Sequence, residues 1–406
     1  MAGNSLLTIS MITRAAVRIW KNTNYFIQNL NTQYDDQFAR DGAKIGTSLR
    51  IRLPNEYTVR QGPAAQPQDT NETQIVMTLA TQSGIDVSFS SVERTMQLED
   101  YVERILAPKI AFLTANVAYT IMAGLEGGVS NYVANLDGSG AITHPTQFTV
   151  LQARAALMNQ SAPPGQRKIA MSPSTAASVV STLSGLLNPA PAISRQYMEG
   201  TMYDALGFRW FEDQTTINHV TGTFSAGTVK GAGQTGITTL VTNAITGTLT
   251  AGDFITIANV NAINRLSRQS LGKLRQFVVT AAVASGATAI PIYPALVAPS
   301  GANGVQYQTV DSSPADGATI LLVNPASSTF IKNIAWQPDA ITMATADLEL
   351  PEGVWERSRS MFDGVAMRSI LAYNPQTDQA IDRLDVLYGY LAVRPEWACV
   401  IADSTS

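Results

Sequence analysis

The sequence predicts an α+β fold, and three stretches carry that reading. From Ser90 to Leu125 apolar residues recur at helical spacing, through Leu98, Val102, Ile105, Ile110, Leu113, Val117 and Ile121. Ahead of it, the chain from Gly46 to Phe89 alternates with period two. Behind it, no glutamate falls between Asp213 and Glu349, no tryptophan between Trp210 and Trp336, and no methionine between Met202 and Met343. Thr, Gly, Ala, Val and Ile in short runs with frequent turns replace them, as in TGTLTAGDFITIANV and QFVVTAAVASGATAIPIY. That pattern indicates an all-β sandwich or barrel inserted into a mixed lobe.

Taken in order, residues 1–40 read as an N-terminal arm. Ile9, Ile12, Val17, Ile19, Trp20, Phe26 and Leu30 are apolar, Ser10 is placed to cap a short helix, and the polar remainder offers no core. Such an arm needs a surface, either of its own chain or of a neighbour. Residues 41–90 form an extended β-hairpin loop, with Leu49, Ile51 and Leu53, then Ile75, Met77 and Leu79, and a polar tip containing Gly62, Pro63 and Pro67. A two-stranded ribbon is marginal alone in water and needs support. Residues 91–128 are the spine helix of a peripheral domain. Ser90 and Glu93 make a capping box, and Glu99, Asp100 and Glu103 mark a solvated first half. After Pro108, Lys109 is the lone full charge before Glu126. Pro108 lacks an N–H and crowds the Arg104 carbonyl, so a bend and a candidate hinge are expected there. Residues 129–216 are the first part of an axial α+β domain, 217–332 the inserted all-β domain, 333–362 the second part of the axial domain, and 363–406 a closing β-sheet of the peripheral domain.

Composition narrows the function. The chain has 406 residues, 45% hydrophobic, and 14% charged against a typical ~25%. A low charge at a normal apolar share points to a surface largely covered by something other than water. Net charge −4 and pI near 5.3 argue against a dedicated nucleic-acid binder. A single cysteine, Cys399, permits no internal disulfide and fits a reducing compartment. The N-terminus has no signal-peptide pattern, and no run of ~18 apolar residues spans a membrane.

No catalytic constellation stands out. Gly231, Gly233 and Gly236 match G-x-G-x-x-G with Asp253 downstream, but ITTLVTNAIT is a poor helix, so the nucleotide reading lacks its context. His144 and His219 lie far apart without metal-ligand spacing, and Cys399 reads as a buried inert thiol. The expectation is a non-enzyme with no cofactor, no metal and no catalytic residue. Arg265, Arg268, Lys273 and Arg275 form a small basic cluster, read as exposed surface with local ion pairs.

The order of arm, hairpin, spine helix, lobe with β insertion and closing sheet resembles the major capsid protein of tailed double-stranded-DNA bacteriophages, with the Hong-Kong-type capsid fold. LYGYLAVRPEWACVI (Leu387 to Ile401) and LTAGDFITIANV (Leu249 to Val260) are similar to the coat protein of Salmonella-type short-tailed phages, whose lobe carries an immunoglobulin-like insertion. The resemblance implies a virion shell of hexamers and pentamers assembled in the host bacterial cytoplasm. It also implies a scaffolding protein, a portal protein, packaged double-stranded DNA held without sequence-specific contacts, and no membrane. The alternatives are another phage structural protein, such as a tail or receptor-binding component, and an enzyme with an unrecognised site. On the capsid reading Trp20, Phe26, Ile51 and Met77 are candidate intersubunit contacts, each worth roughly 1.5–3 kcal/mol when buried.

Overall fold

The computed structural model describes residues 9–32, 48–57, 59–60, 62–65, 67, 74–90, 105–182, 204–300, 305–362 and 364–405. The Ser90–Glu93 capping box, the acidic face of Glu99, Asp100 and Glu103, and the Arg104 carbonyl lie outside them. By contacts the chain divides into two units. One comprises 1–51, 74–121 and 341–393, the other 52–73, 122–340 and 394–406.

The first unit is organised on one long strand, Gln379–Ala392. Thr81–Ser90 runs antiparallel along one edge, from Ser90 opposite Gln379 to Thr81 opposite Tyr388. On the other edge Val365–Asn374 pairs with its first half and Ile341–Ala346 with its second. Glu356–Phe362 extends the sheet beyond Val365–Asn374. Gly84 faces Asp385 across the ladder, and a Cβ there would collide with the Asp385 carboxylate and the Leu384 carbonyl. That buried carboxylate takes Arg368 at 2.7 Å and Arg383 at 2.9 Å.

The spine helix Ala107–Gly124 follows a π-helical turn at Ile105 and Leu106, and Pro108 stands in its first turn. Its 18 residues make a rod of about 27 Å. Ile110, Leu113, Thr114, Val117, Ala118 and Ile121 are buried, the i, i+3, i+4 repeat expected of one packed face. Lys109 is buried with them. Its Nζ donates to the Asp382 carboxylate at 3.0 Å and to the Asp382 carbonyl at 2.9 Å, tying the helix to the central strand.

The arm helix Ile9–Thr23 is strongly amphipathic, with Thr13, Ala16, Val17 and Trp20 on its buried face. It packs on Glu356–Phe362 and Val365–Asn374. Asn24 then caps the short helix Tyr25–Gln28 by accepting the Ile27 N–H. Asn31 exchanges backbone hydrogen bonds with Ile341 and Met343, both 3.1 Å. At the base of the ribbon, Ser48–Arg52 pairs with Gln74–Thr78. Met77 and Leu79 cluster there with Ala344, Leu49, Ala346 and Leu391.

The second unit contains a seven-stranded mixed sheet. Thr329–Trp336 is at its centre, flanked by Ala398–Ser404 and Lys168–Met171. Asn131–Val133 joins Ala398–Ser404 in parallel, and Phe208–Glu212 joins Lys168–Met171 in parallel. The helices Gln147–Asn159 and Pro173–Thr182 supply Val150, Ala153, Leu157 and Val179 to a core with Ile169, Met171, Phe208, Trp210, Cys399 and Ile401.

Three strands are placed differently from expectation. Ile341–Ala346 and Glu356–Phe362, expected in the second part of the axial domain, belong to the sheet of the first unit. Ala398–Ser404, expected in the closing peripheral sheet, belongs to the seven-stranded sheet. For Ala398–Ser404 the physical reason lies at Pro395, which opens a 3-10 turn, Pro395–Trp397. With no N–H to continue the ladder, the chain leaves one sheet and enters the other.

The segment between Val220 and Thr329 has a sheet and core of its own. Five strands run in the order Ile237–Val241, Ala289–Leu296, Phe277–Val279, Phe254–Ile257, Ile320–Leu322. Side chains from Phe224 to Ile320 fill its core, among them Leu240, Ile255, Ile257, Phe277, Ile290 and Ile292. A separate hairpin, Asn261–Ile263 with Ser270–Leu274, stands beside it. The three glycines Gly231, Gly233 and Gly236 all have positive φ and lie in a turn that leads into a strand, not a helix.

Candidate functional site

The inserted segment leaves the lobe along Ile217–Val220 and returns along Thr329–Trp336, paired from Ile217 opposite Lys332 to Val220 opposite Thr329. Alternation on these two strands sends His219 and Lys332 inward, where each is almost wholly buried. Glu126, two residues past the spine helix, and Asp253, just before the strand Phe254–Ile257, meet them.

His219 Nδ1 is 3.1 Å from Glu126 Oε1 and its Nε2 is 2.8 Å from Asp253 Oδ1. With an acceptor at each ring nitrogen, the imidazolium can donate twice and the neutral ring once. Lys332 Nζ donates to Glu126 Oε1 at 3.1 Å and to the Gly252 carbonyl at 3.3 Å. Asp253 is fully buried and saturated. Besides His219 it accepts Asn324 Nδ2 at 3.1 Å, the Gly222 N–H at 3.1 Å and the Thr250 N–H at 2.8 Å. Gly252 at φ +94° brings the loop close, and a Cβ there would strike Lys332 and His219.

The electrostatics follow. Burial alone would push the Asp253 carboxyl up, but the hydrogen bonds from His219, Thr250 and Asn324 outweigh it and hold the group below its ordinary value. Glu126 is likewise lowered: burial opposes, and the His219 bond and the Lys332 charge prevail. Lys332 is itself lowered by burial, which Glu126 only partly offsets. Around the charges lies an aromatic collar. Tyr132 is 4.6 Å from Phe254 and 5.8 Å from Phe330 by ring centroid, and His219 is 5.1 Å from Phe330. Gln276 completes the seat by exchanging hydrogen bonds with both backbone groups of Tyr132. The charged groups of the arrangement face one another. It is a charged latch that fixes the insertion to its stem.

A second set of ion pairs involves the basic cluster. Arg265 binds Glu396 at 2.6 Å and Glu56 at 3.3 Å, and Arg268 binds Glu56 at 2.7 Å. Arg275 is buried, and burial together with the Arg265 charge lowers its guanidinium to about 10. His144, half exposed, lies 2.7 Å from the buried Asp403. Burial pushes the Cys399 thiol up.

The residues expected to touch neighbouring subunits are elsewhere than expected. Trp20 and Phe26 are 0% exposed, Ile51 3% and Met77 1%, all within the chain itself. A side chain with no accessible surface left gains nothing from a neighbour, so these four are core residues of the first unit. The exposed large apolar side chains are others, including Phe112 and Tyr119 on the spine helix and Phe148 and Met158 on Gln147–Asn159. His219, set aside in the sequence for want of metal-ligand spacing, stands on the strand Ile217–Val220 and was missed. An acid lone in the apolar run of TAGDFITIANV was the signal available for Asp253.

The family model described as P22 coat protein, gene protein 5, matches residues 46–401. No curated protein matches the chain. Among solved structures, one of Mycobacterium phage Che8 is similar at 12% identity, with 93% of this chain and 90% of that chain covered and a TM-score of 0.48. The capsid of Ralstonia phage GP4 is similar at 8% identity, 95% and 92% coverage and a TM-score of 0.47. The CUS-3 coat protein I-domain aligns at 21% identity over 25% of this chain and 96% of its own, with a TM-score of 0.21.

Proposed function

The chain belongs to the P22 coat protein family, and on that premise we propose that it closes into its shell on a scaffolding protein, with a portal protein at one vertex and double-stranded DNA packaged inside. It is a major capsid protein, a structural subunit of a phage virion shell built from many copies of itself. The finer reading places assembly in the bacterial cytoplasm, holds DNA without sequence-specific contacts, and assigns the chain no catalysis of its own.

The observation that carries this is the family match over residues 46–401. The charge content agrees with it: 14% charged residues suit a subunit whose surface is mostly covered by neighbours. The ion pairs fit as well, since the buried ones tie elements of the subunit together. The test is co-expression with a scaffolding protein, followed by sedimentation and electron microscopy. Closed shells are expected, at higher yield and more uniform size with scaffold than without. Tubes, fibres or dispersed monomers in both cases would refute the reading.

A further inference from the structure

We propose that the outward face of the lobe helix Gln147–Asn159 is a contact surface for a second copy of this chain. Most surface helices keep apolar residues to the face that meets the core. This helix is apolar on both. Its inward side buries Thr149, Val150, Ala153 and Leu157, which completes its part of the lobe core. Its outward side carries Phe148, Leu151, Ala155 and Met158, spaced i, i+3, i+7 and i+10 along one stripe. Phe148 is 67% exposed, Met158 53% and Leu151 39%.

The charge on this helix reinforces the choice of partner. Its lone charged side chain, Arg154, folds back over Gly207, where a Cβ would come within 3.0 Å of the guanidinium carbon. What remains outward between the apolar residues is Gln152, an uncharged amide. The helix has no acid in its first turn and no base in its last. A neutral apolar stripe can meet the surface of an identical subunit without like-charge repulsion, whereas a basic or acidic partner would find no counter-charge on it.

Permanence favours a copy as well. An exposed Phe and Met are stably covered only by a neighbour that stays, and the neighbours that every subunit of a closed shell keeps are copies of this chain; a portal reaches one vertex, and a polyanion such as DNA would find no base on the stripe. The proposal rests on the shell reading above. The contact is heterologous, stripe to a different patch of the next subunit, which is how rings close.

The test introduces a charge on the stripe and leaves the inward face untouched. Phe148→Lys and Met158→Glu, made singly in the full chain, are expected to give soluble protein whose circular dichroism melt matches the parent. Shell yield by sedimentation and electron microscopy should fall at least tenfold. Should Phe148→Lys fail to fold, Met158→Gln carries the same test through a smaller change. Parental shell yield from the folded variants overturns the proposal. So does a defect seen only with scaffold present, while the variant alone still closes shells, because the occupant would then be the scaffold. A parent chain that builds no shell refutes the shell reading instead.

Discussion

Asp253→Asn offers the sharpest test of the charged latch. The substitution keeps size and shape, and turns one acceptor oxygen into a donor. Asp253 now meets the His219 ring and accepts from Asn324, Gly222 and Thr250. An amide can accept at one end, so at least one donor must face another donor. It also leaves Lys332 and His219 with Glu126 as the remaining acid among them. Breaking one partner of a buried pair costs about 3–5 kcal/mol. At about 2–4 °C per kcal/mol for a unit of this size, the melting temperature of the monomer should drop by roughly 6–20 °C.

A pH series adds an independent reading. Asp253 and Glu126 have folded-state values below their ordinary ones, so at mildly acid pH the unfolded chain binds more protons than the folded one. Their contribution is fully present above the ordinary values of 3.8 and 4.5, and is lost as pH falls through the lowered folded values. The parent should therefore lose stability on acidification below about pH 4.5, and Asp253→Asn should show a shallower slope. The assay is a circular dichroism melt between pH 3 and 7, with Glu212→Gln, an exposed site, as control. A shift within about 2 °C of that control and an unchanged acid slope would refute the account.

Other perturbations probe the rest of the fold. Trp20→Ala should cost about 3–5 kcal/mol of monomer stability, because Trp20 is fully buried under its own sheet; a stable monomer that merely fails to assemble would instead make it an interface residue. Residues 217–332 expressed alone should give a β-type spectrum and a cooperative melt, since that segment holds its own sheet and core; a random-coil spectrum would reject this. Pro108→Ala should stiffen the start of the spine helix beside the π-helical turn at 105–106 and change the size or yield of shells; identical particles would remove the hinge.

What was legible in the sequence was local. The buried face of the spine helix from Ile110 to Ile121 is spelled out by its spacing, and the inserted β segment by its composition. What escaped depends on contacts far apart in the chain. Lys109 meets Asp382 across 273 residues, and His219 meets Glu126 across 93. A lone lysine in an otherwise apolar half-helix signals that some acid must reach it, but not which one. The arm shows the complementary failure. Its amphipathic pattern announces that Trp20 and Phe26 need a cover, and periodicity says nothing about whether that cover belongs to the same polypeptide.

The stem of the insertion has a consequence for grafting. Val220 and Thr329 are paired across an antiparallel ladder, so their Cα atoms are only about 5 Å apart. More than a hundred residues thus depart and return through a gap that a two-residue turn could bridge. Excising 221–328 and joining the ends with Asn-Gly would leave Ile217–Val220 and Thr329–Trp336 as a ready-made hairpin in the lobe sheet. Any foreign domain with adjacent termini could be spliced in at the same place. Excision would also remove Asp253 and leave His219 and Lys332 sharing Glu126 alone. A graft that works should therefore either bring its own carboxylate to that spot or replace His219 with an uncharged side chain.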